Sequence, residues 1–174
     1  MKLKLDRVTI NVKNLEEAKR FFSELLETTF EDMPEEMVKG RQKIEISPPA
    51  PDFKFRFAVS PLGIELFETD PPVAVEGLRN VTWRVENIEQ AREEMKKRGI
   101  ERVFDARCGS WKEAVYKAED VHGVRWVLNE YEGESVMKAM GRKEKQERER
   151  TTEVKGGKVH GNRKGVAEGN RKIS

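Results

Sequence analysis

Two stretches of this chain alternate apolar and polar residues in the same way, and their polar sides carry the groups best able to do chemistry. Those groups are Arg7, Thr9 and Asn11 in one stretch and Asn80, Thr82 and Arg84 in the other. At a period of two, each triplet shares one face of a strand, while Val8, Ile10 and Val12, or Val81, Trp83 and Val85, take the opposite face. A guanidinium fork matches a carboxylate or phosphate, so polar faces with arginines suit recognition of an anion. Other chemistry is scarce. Cys108 is the only cysteine, which rules out an intramolecular disulfide and a thiolate metal cluster. It reads as an inert small residue, or as a reactive thiol should a nearby arginine lower its pKa. The two histidines lie in a turn (His122, EDVHGV) and near the C-terminal end (His160). No phosphate loop, Ser/His/Asp arrangement or paired carboxylates can be found.

The strands that present these faces belong to a repeat. Residues 5–22, LDRVTINVKNLEEAKRFF, reappear without a gap at 78–95 as LRNVTWRVENIEQAREEM, with seven of the eighteen positions identical. Such self-similarity decides the architecture before any local assignment. Each copy reads as a strand, then an N-cap (Asn14, Asn87) with Glu17 or Gln90 at the third helical position, then a helix whose first copy has the stripe Leu15, Ala18, Phe22, Leu25, Leu26. Alternating patterns follow at Gly40–Ser47, Asp52–Val59 and Gly63–Glu68 in the first half, and at Glu101–Ala106, Glu113–Ala118 and Val124–Tyr131 in the second. The order is β-α-β-β-β twice, joined by a linker around Thr69–Glu76, and the fold class is α+β. A sheet covered by helices on one face leaves the other to line a concavity. Trp83 and Trp126 are expected in the core, whereas Trp111 and Tyr116 are candidates for the mouth of the cleft.

Charge is unevenly placed along the chain. Residues 133–174 hold twelve Lys and Arg against six Glu, which leaves residues 1–132 mildly acidic. That basic segment has almost no large apolar residues, so it is expected to be a largely disordered tail, with a short helix over Ser135–Arg150 allowed by propensity. Its mixed charges argue against nucleic acid as a partner. No apolar run approaches the roughly 18 residues of a membrane span, and no signal-peptide pattern opens the chain, so a cytoplasmic protein without a membrane partner is expected. A homodimer is expected as well.

The opening LDRVTINVKNLEEAKRFFSELL, the segment GIELFE and the closing EDVHGVRWVLNEYE resemble the vicinal oxygen chelate superfamily, which includes glyoxalases, bleomycin-resistance proteins and extradiol dioxygenases. The resemblance implies two βαβββ modules, 3–68 and 78–132, that form a glyoxalase/bleomycin-resistance/dioxygenase-like cleft within a domain spanning 1–132. Metal-dependent members place ligands at four positions that here correspond to Arg7, Glu65, Asn80 and Val127; only Glu65 keeps the expected type. Arg7 has no lone pair to give and brings a permanent positive charge, Asn80 offers a weak neutral oxygen and Val127 nothing, so neither a metal nor another cofactor is expected.

Strand alternation from these positions gives the expected ligand-binding set: Arg7, Thr9, Asn11, Glu65, Phe67, Asn80, Thr82, Arg84, Arg125 and Val127, with Asn129 beside them. Arg7 is expected to pair with Glu65, leaving Arg84 and Arg125 to hold an anion. Two functions follow. The first is a metal-independent protein that binds a small anionic molecule. The alternative is a lyase, isomerase or dioxygenase with a rebuilt metal site or with Glu65 as general base, and whether any bond is broken is left open.

Overall fold

The computed structural model describes residues 1–34, 37, 44–49 and 54–141. The elements, in chain order, are β1 (Lys4–Asn11), α1 (Leu15–Leu26), β2 (Glu31–Asp32), β3 (Glu45–Ser47), β4 (Lys54–Val59), β5 (Ile64–Asp70), β6 (Gly77–Arg84), α2 (Ile88–Lys97), β7 (Arg102–Cys108), β8 (Trp111–Tyr116), a 3-10 turn (Glu119–Val121), β9 (Trp126–Glu130) and α3 (Val136–Gly141). The strands form one mixed sheet in the order β2-β4-β5-β1-β6-β9-β8-β7-β3, curled into a half-barrel.

The repeat explains the middle of that sheet. β1 and β6 pair antiparallel with Val8 opposite Val81, its own counterpart, and with Thr9 opposite Asn80 where Arg7 is opposite Thr82. Each strand then pairs in parallel with the last strand of its half, Thr9 beside Glu65 and Thr82 beside Val127. Both helices start in the same manner. Asn14 and Asn87 accept hydrogen bonds from the amides of Glu17 (3.1 Å) and Gln90 (2.9 Å), and Glu68 and Glu130, from β5 and β9, accept from the first helical amides of Leu15 (3.2 Å) and Ile88 (2.7 Å). These contacts satisfy amides that a helix start leaves without partners.

Two cores lie under the helices. Val12, Leu15, Ala58 and Leu66 pack below α1 with Ile10, Ala18 and Phe22 against them, and Val85, Ile88, Ala91, Met95, Ala114, Tyr116 and Leu128 pack below α2 with Trp83 and Trp126. Tyr116 therefore belongs to the helix-side core and not to the cleft, because β8 starts at Trp111 and period two puts residues five apart on opposite faces.

The concave side is filled as well. Phe57, Ala106, Trp111, Tyr131, Val136, Met137 and Met140 form a third buried cluster. The last three come from α3, so the domain does not end at 132: at least through Gly141 the chain docks on the sheet. Val136, Met137, Ala139 and Met140 are apolar at helical spacing, which gives this short stretch its packing face. The fit is close at Gly109, whose φ is +61° and where a Cβ would meet the carbonyl oxygen of Ala139 at 2.9 Å. The remainder of the expected tail lies outside the described residues.

A second correction concerns Gly40–Ser47. Residues 40–43 lie outside the described residues, and Glu45–Ser47 pairs with β7 at the far end of the sheet, Ile46 opposite Ala106, while the short β2 takes the place beside β4. A strand added there covers an edge that β7 would otherwise leave open. No described helix is long and apolar enough to cross a membrane.

Candidate ligand site

The polar floor of the half-barrel is assembled at the β1/β6 junction. Arg7 is buried there, 5 % exposed, and its Nε donates to Glu65 Oε2 at 2.5 Å while Nη1 donates to Asp6 Oδ2 at 2.6 Å. Its Nη2 lies 3.6 Å from Glu113 Oε2. Asn129, fully buried, fits with its amide oxygen toward Arg7 (2.6 and 3.1 Å from the two Nη atoms) and its nitrogen donating to Glu113 Oε2 at 3.0 Å. Thr9 Oγ1 donates to Glu65 Oε2 at 3.0 Å, and Asn80 Nδ2 donates to Thr9 (2.9 Å) and to Thr82 (3.1 Å). Burial by itself would lower the pKa of Arg7, but Glu65, Asp6 and Glu113 outweigh it and hold the guanidinium above its ordinary value. Burial pushes the Glu113 carboxyl up to about 7, against the pull of Arg7 and helped by the charge of Glu65.

Above this floor lies a cavity of about 100 Å³. Of the expected residues, Arg7, Thr9, Glu65, Phe67, Asn80, Arg125 and Val127 line it. Thr82 is fully buried beneath it, bonded to Asn80. Asn11 supports it from behind, accepting from Arg79 Nη1 at 3.1 Å. Arg84 is not part of it. It shares the strand face of Asn80 and Thr82 but lies past the end of the cavity, where its guanidinium donates to the carbonyls of Tyr131 and Gly133, both at 2.9 Å, and stacks on the Tyr131 ring at 4.0 Å.

Arg79 and Glu113 line the cavity instead, and neither was expected. Arg79 adjoins Asn80 and would face the other way in a regular strand; the β1/β6 ladder shifts register between Thr9 and Ile10, and this lets two consecutive residues of β6 turn toward the cavity. Glu113 lies two residues from Trp111 and shares its face, because β8 starts at Trp111 and not at Glu113 as expected. The walls are more apolar than the polar cleft expected: Phe55, Phe57 and Phe67 stand on one flank, Phe104 and Trp111 on the other.

At the rim, Arg79 and Arg125 have no carboxylate within ion-pair distance among the described residues. Burial, then the charge of Arg125, lowers the pKa of Arg79, and the more distant charges of Glu65 and Glu113 offset this only in part. Arg79 also lies over the Phe67 ring, 4.3 Å from its centroid.

At the four positions where the resemblance would place metal ligands, the Arg7 guanidinium donates to Glu65 Oε2 and the Asn80 amide nitrogen donates to two hydroxyls, contacts that differ from those of a carboxylate and an imidazole turned to a cation. Among the described residues no three His, Cys, Asp or Glu side chains gather to hold a metal ion. The same contacts occupy Glu65 Oε2 twice, from Arg7 and Thr9, which leaves that oxygen poorly placed to act as a general base.

The profile of the Glyoxalase/Bleomycin resistance protein/Dioxygenase superfamily matches residues 4–128. No curated protein matches the chain. Among solved structures, a hypothetical protein from Bacillus halodurans C-125 is similar over 78 % of this chain and 99 % of its own, at 18 % identity and a TM-score of 0.60. Streptomyces coelicolor methylmalonyl-CoA epimerase, in a variant holding 2-nitronate-propionyl-CoA, aligns over 74 % and 98 % at 15 % identity and a TM-score of 0.56. The epimerase from Mycobacterium tuberculosis aligns over 72 % and 86 % at 18 % identity and a TM-score of 0.53. At these identities the likeness is one of fold.

Proposed function

Because the chain belongs to the Glyoxalase/Bleomycin resistance protein/Dioxygenase superfamily, its half-barrel is a scaffold that serves many chemistries, and we propose that this copy binds a small anionic molecule without a metal. The observation that carries the reading is the pair Arg79 and Arg125: two guanidiniums lining an apolar-walled cavity, neither in an ion pair among the described residues, while the nearby Glu65 is already bonded to Arg7. An anion entering there gains charge-assisted hydrogen bonds in a site that excludes much of the water. The family metal position is read as degenerate, with Arg7 and Glu65 replacing metal and ligand by an ion pair. A small-molecule ligand agrees with the acyl-CoA analogue held by the Streptomyces epimerase, although a cavity of about 100 Å³ would take only the acyl end of such a molecule.

Calorimetry or thermal shift with carboxylates, phosphates and acyl-thioesters tests this, using the full chain and Arg79→Gln and Arg125→Gln. Losing a buried, ligand-paired guanidinium should weaken binding by about 2–5 kcal/mol. Anions that bind both variants as tightly as the parent would remove the proposal. A cytoplasmic location and a homodimer belong to the same reading; Phe21 and Leu25, exposed one turn apart on α1, offer the dimer a face, and light scattering of the same samples checks it.

A further inference from the structure

The walls of the cavity narrow the class of ligand beyond its charge. Phe55 and Phe57 project from one face of β4, and Phe67 stands opposite Phe57 on β5. Their three rings are nearly coplanar in orientation, with interplanar angles of 6–13° and centroids 5.3–6.4 Å apart. The rings stack on one another and Arg79 covers Phe67, so what they offer a ligand is ring edges, which suit contact with another aromatic ring. The opposite flank contributes Phe104 and Trp111, so that aromatic groups face the cavity from both sides. The anion-holding groups are placed at the end of this slot, since Arg79 lies against Phe67 itself. An apolar cavity of about 150 Å³ holds a benzene, so a volume of about 100 Å³ takes at most one ring, with its carboxylate outside the enclosed part.

We propose that the ligand is a single-ring aromatic carboxylate, its ring in the slot between Phe67 and Trp111 and its carboxylate on Arg79 and Arg125. This rests on the anion-binding reading and adds to it the aromatic character and size of the apolar body. Offset or edge-on contacts between rings stabilise such a ligand beyond the burial of its area, and a saturated ring of the same charge cannot make them. Met140 and Val136 from α3 close the slot on its remaining side, which limits the ligand to one ring.

Three probes separate the two levels of inference on the full chain by calorimetry: benzoate, cyclohexanecarboxylate and benzamide. Benzoate should bind at least tenfold more tightly than either of the others. In Phe67→Leu the preference for benzoate over cyclohexanecarboxylate should shrink toward one while the saturated acid still binds, which shows that the variant has folded. Cyclohexanecarboxylate binding as tightly as benzoate overturns the slot and leaves the anion reading standing. Benzamide binding as tightly as benzoate overturns the anion reading and leaves the slot. If none of the three binds, the inference fails; a larger anion such as an acyl-thioester that binds through Arg79 and Arg125 would then keep the anion reading alone.

Discussion

Arg7 and Arg79 line one cavity, yet they stand in opposite electrostatic conditions. Arg7 contacts Asp6, Glu65 and Glu113 and is held above its ordinary pKa; Arg79 contacts Asn11 and a phenylalanine ring, has no ion pair among the described residues, and is held below its ordinary pKa by burial and by Arg125, which outweigh the charges of Glu65 and Glu113. A buried charge is tolerated where partners compensate its lost hydration, and an uncompensated one marks either strain or a place kept for something else. The floor is thus satisfied within the protein, and the rim is not. The difference separates structure from function: altering the floor should register in stability, and altering the rim in binding.

The largest effect is expected from Arg7→Met. It leaves three carboxylates facing one another without their cation, and removing one partner of a buried ion pair costs about 3–5 kcal/mol. Urea denaturation should show this loss, and adding Glu65→Gln should restore part of it. If Arg7→Met unfolds at the same urea concentration as the parent, Arg7 is no more structural than Arg79, and the contrast collapses.

Glu113 provides a test through pH. Its folded-state pKa of about 7 is above the ordinary 4.5, so between those two values the folded protein holds a proton that the unfolded chain has lost. Stability from this group is therefore present at low pH, falls as pH rises from 4.5 to about 7, and is constant above that. At about 1.4 kcal/mol per pH unit, the loss approaches about 3 kcal/mol. Glu113→Gln removes the titration, so its stability relative to the parent should rise by about 2.5 kcal/mol between pH 5 and pH 8. A difference that does not change with pH would show that the carboxyl is not held protonated.

The centre of the fold was readable because the repeat carries its own check. The copies at 5–22 and 78–95 place Val8 against Val81, and both caps recur in both helices. The Arg7–Glu65 pair follows from that register. What escaped was set by departures from regularity. Period two assigns Arg84 to the pocket face, which is the face it has, but only the tertiary path of Tyr131–Gly133 decides that its guanidinium is spent on carbonyls. Period two excludes Arg79, and a register shift admits it. Composition averaged over 133–174 hid the four apolar residues of α3 among lysines and glutamates, so the wall they form was missed. Glu113 escaped for a different reason. The expected strand began at Glu113 and left Trp111 in the turn before it, so with Tyr116 taken as a cleft residue Glu113 fell on the opposite face; the strand in fact starts at Trp111.

The smallest effect is expected from Arg125→Gln, measured as stability. Arg125 has no ion pair among the described residues, so the substitution strands no carboxylate. It also removes a like charge that lowers the pKa of Arg79. Substitutions that disturb neither core nor buried network usually fall within about 0.5 kcal/mol, and easing the repulsion from Arg79 should place this one on the favourable side of zero. Denaturation in the absence of any ligand measures it cleanly, because a bound anion would stabilise the parent alone. A loss near that of Arg7→Met would mean that Arg125 has a structural partner, and the rim would then be as fully committed to the fold as the floor.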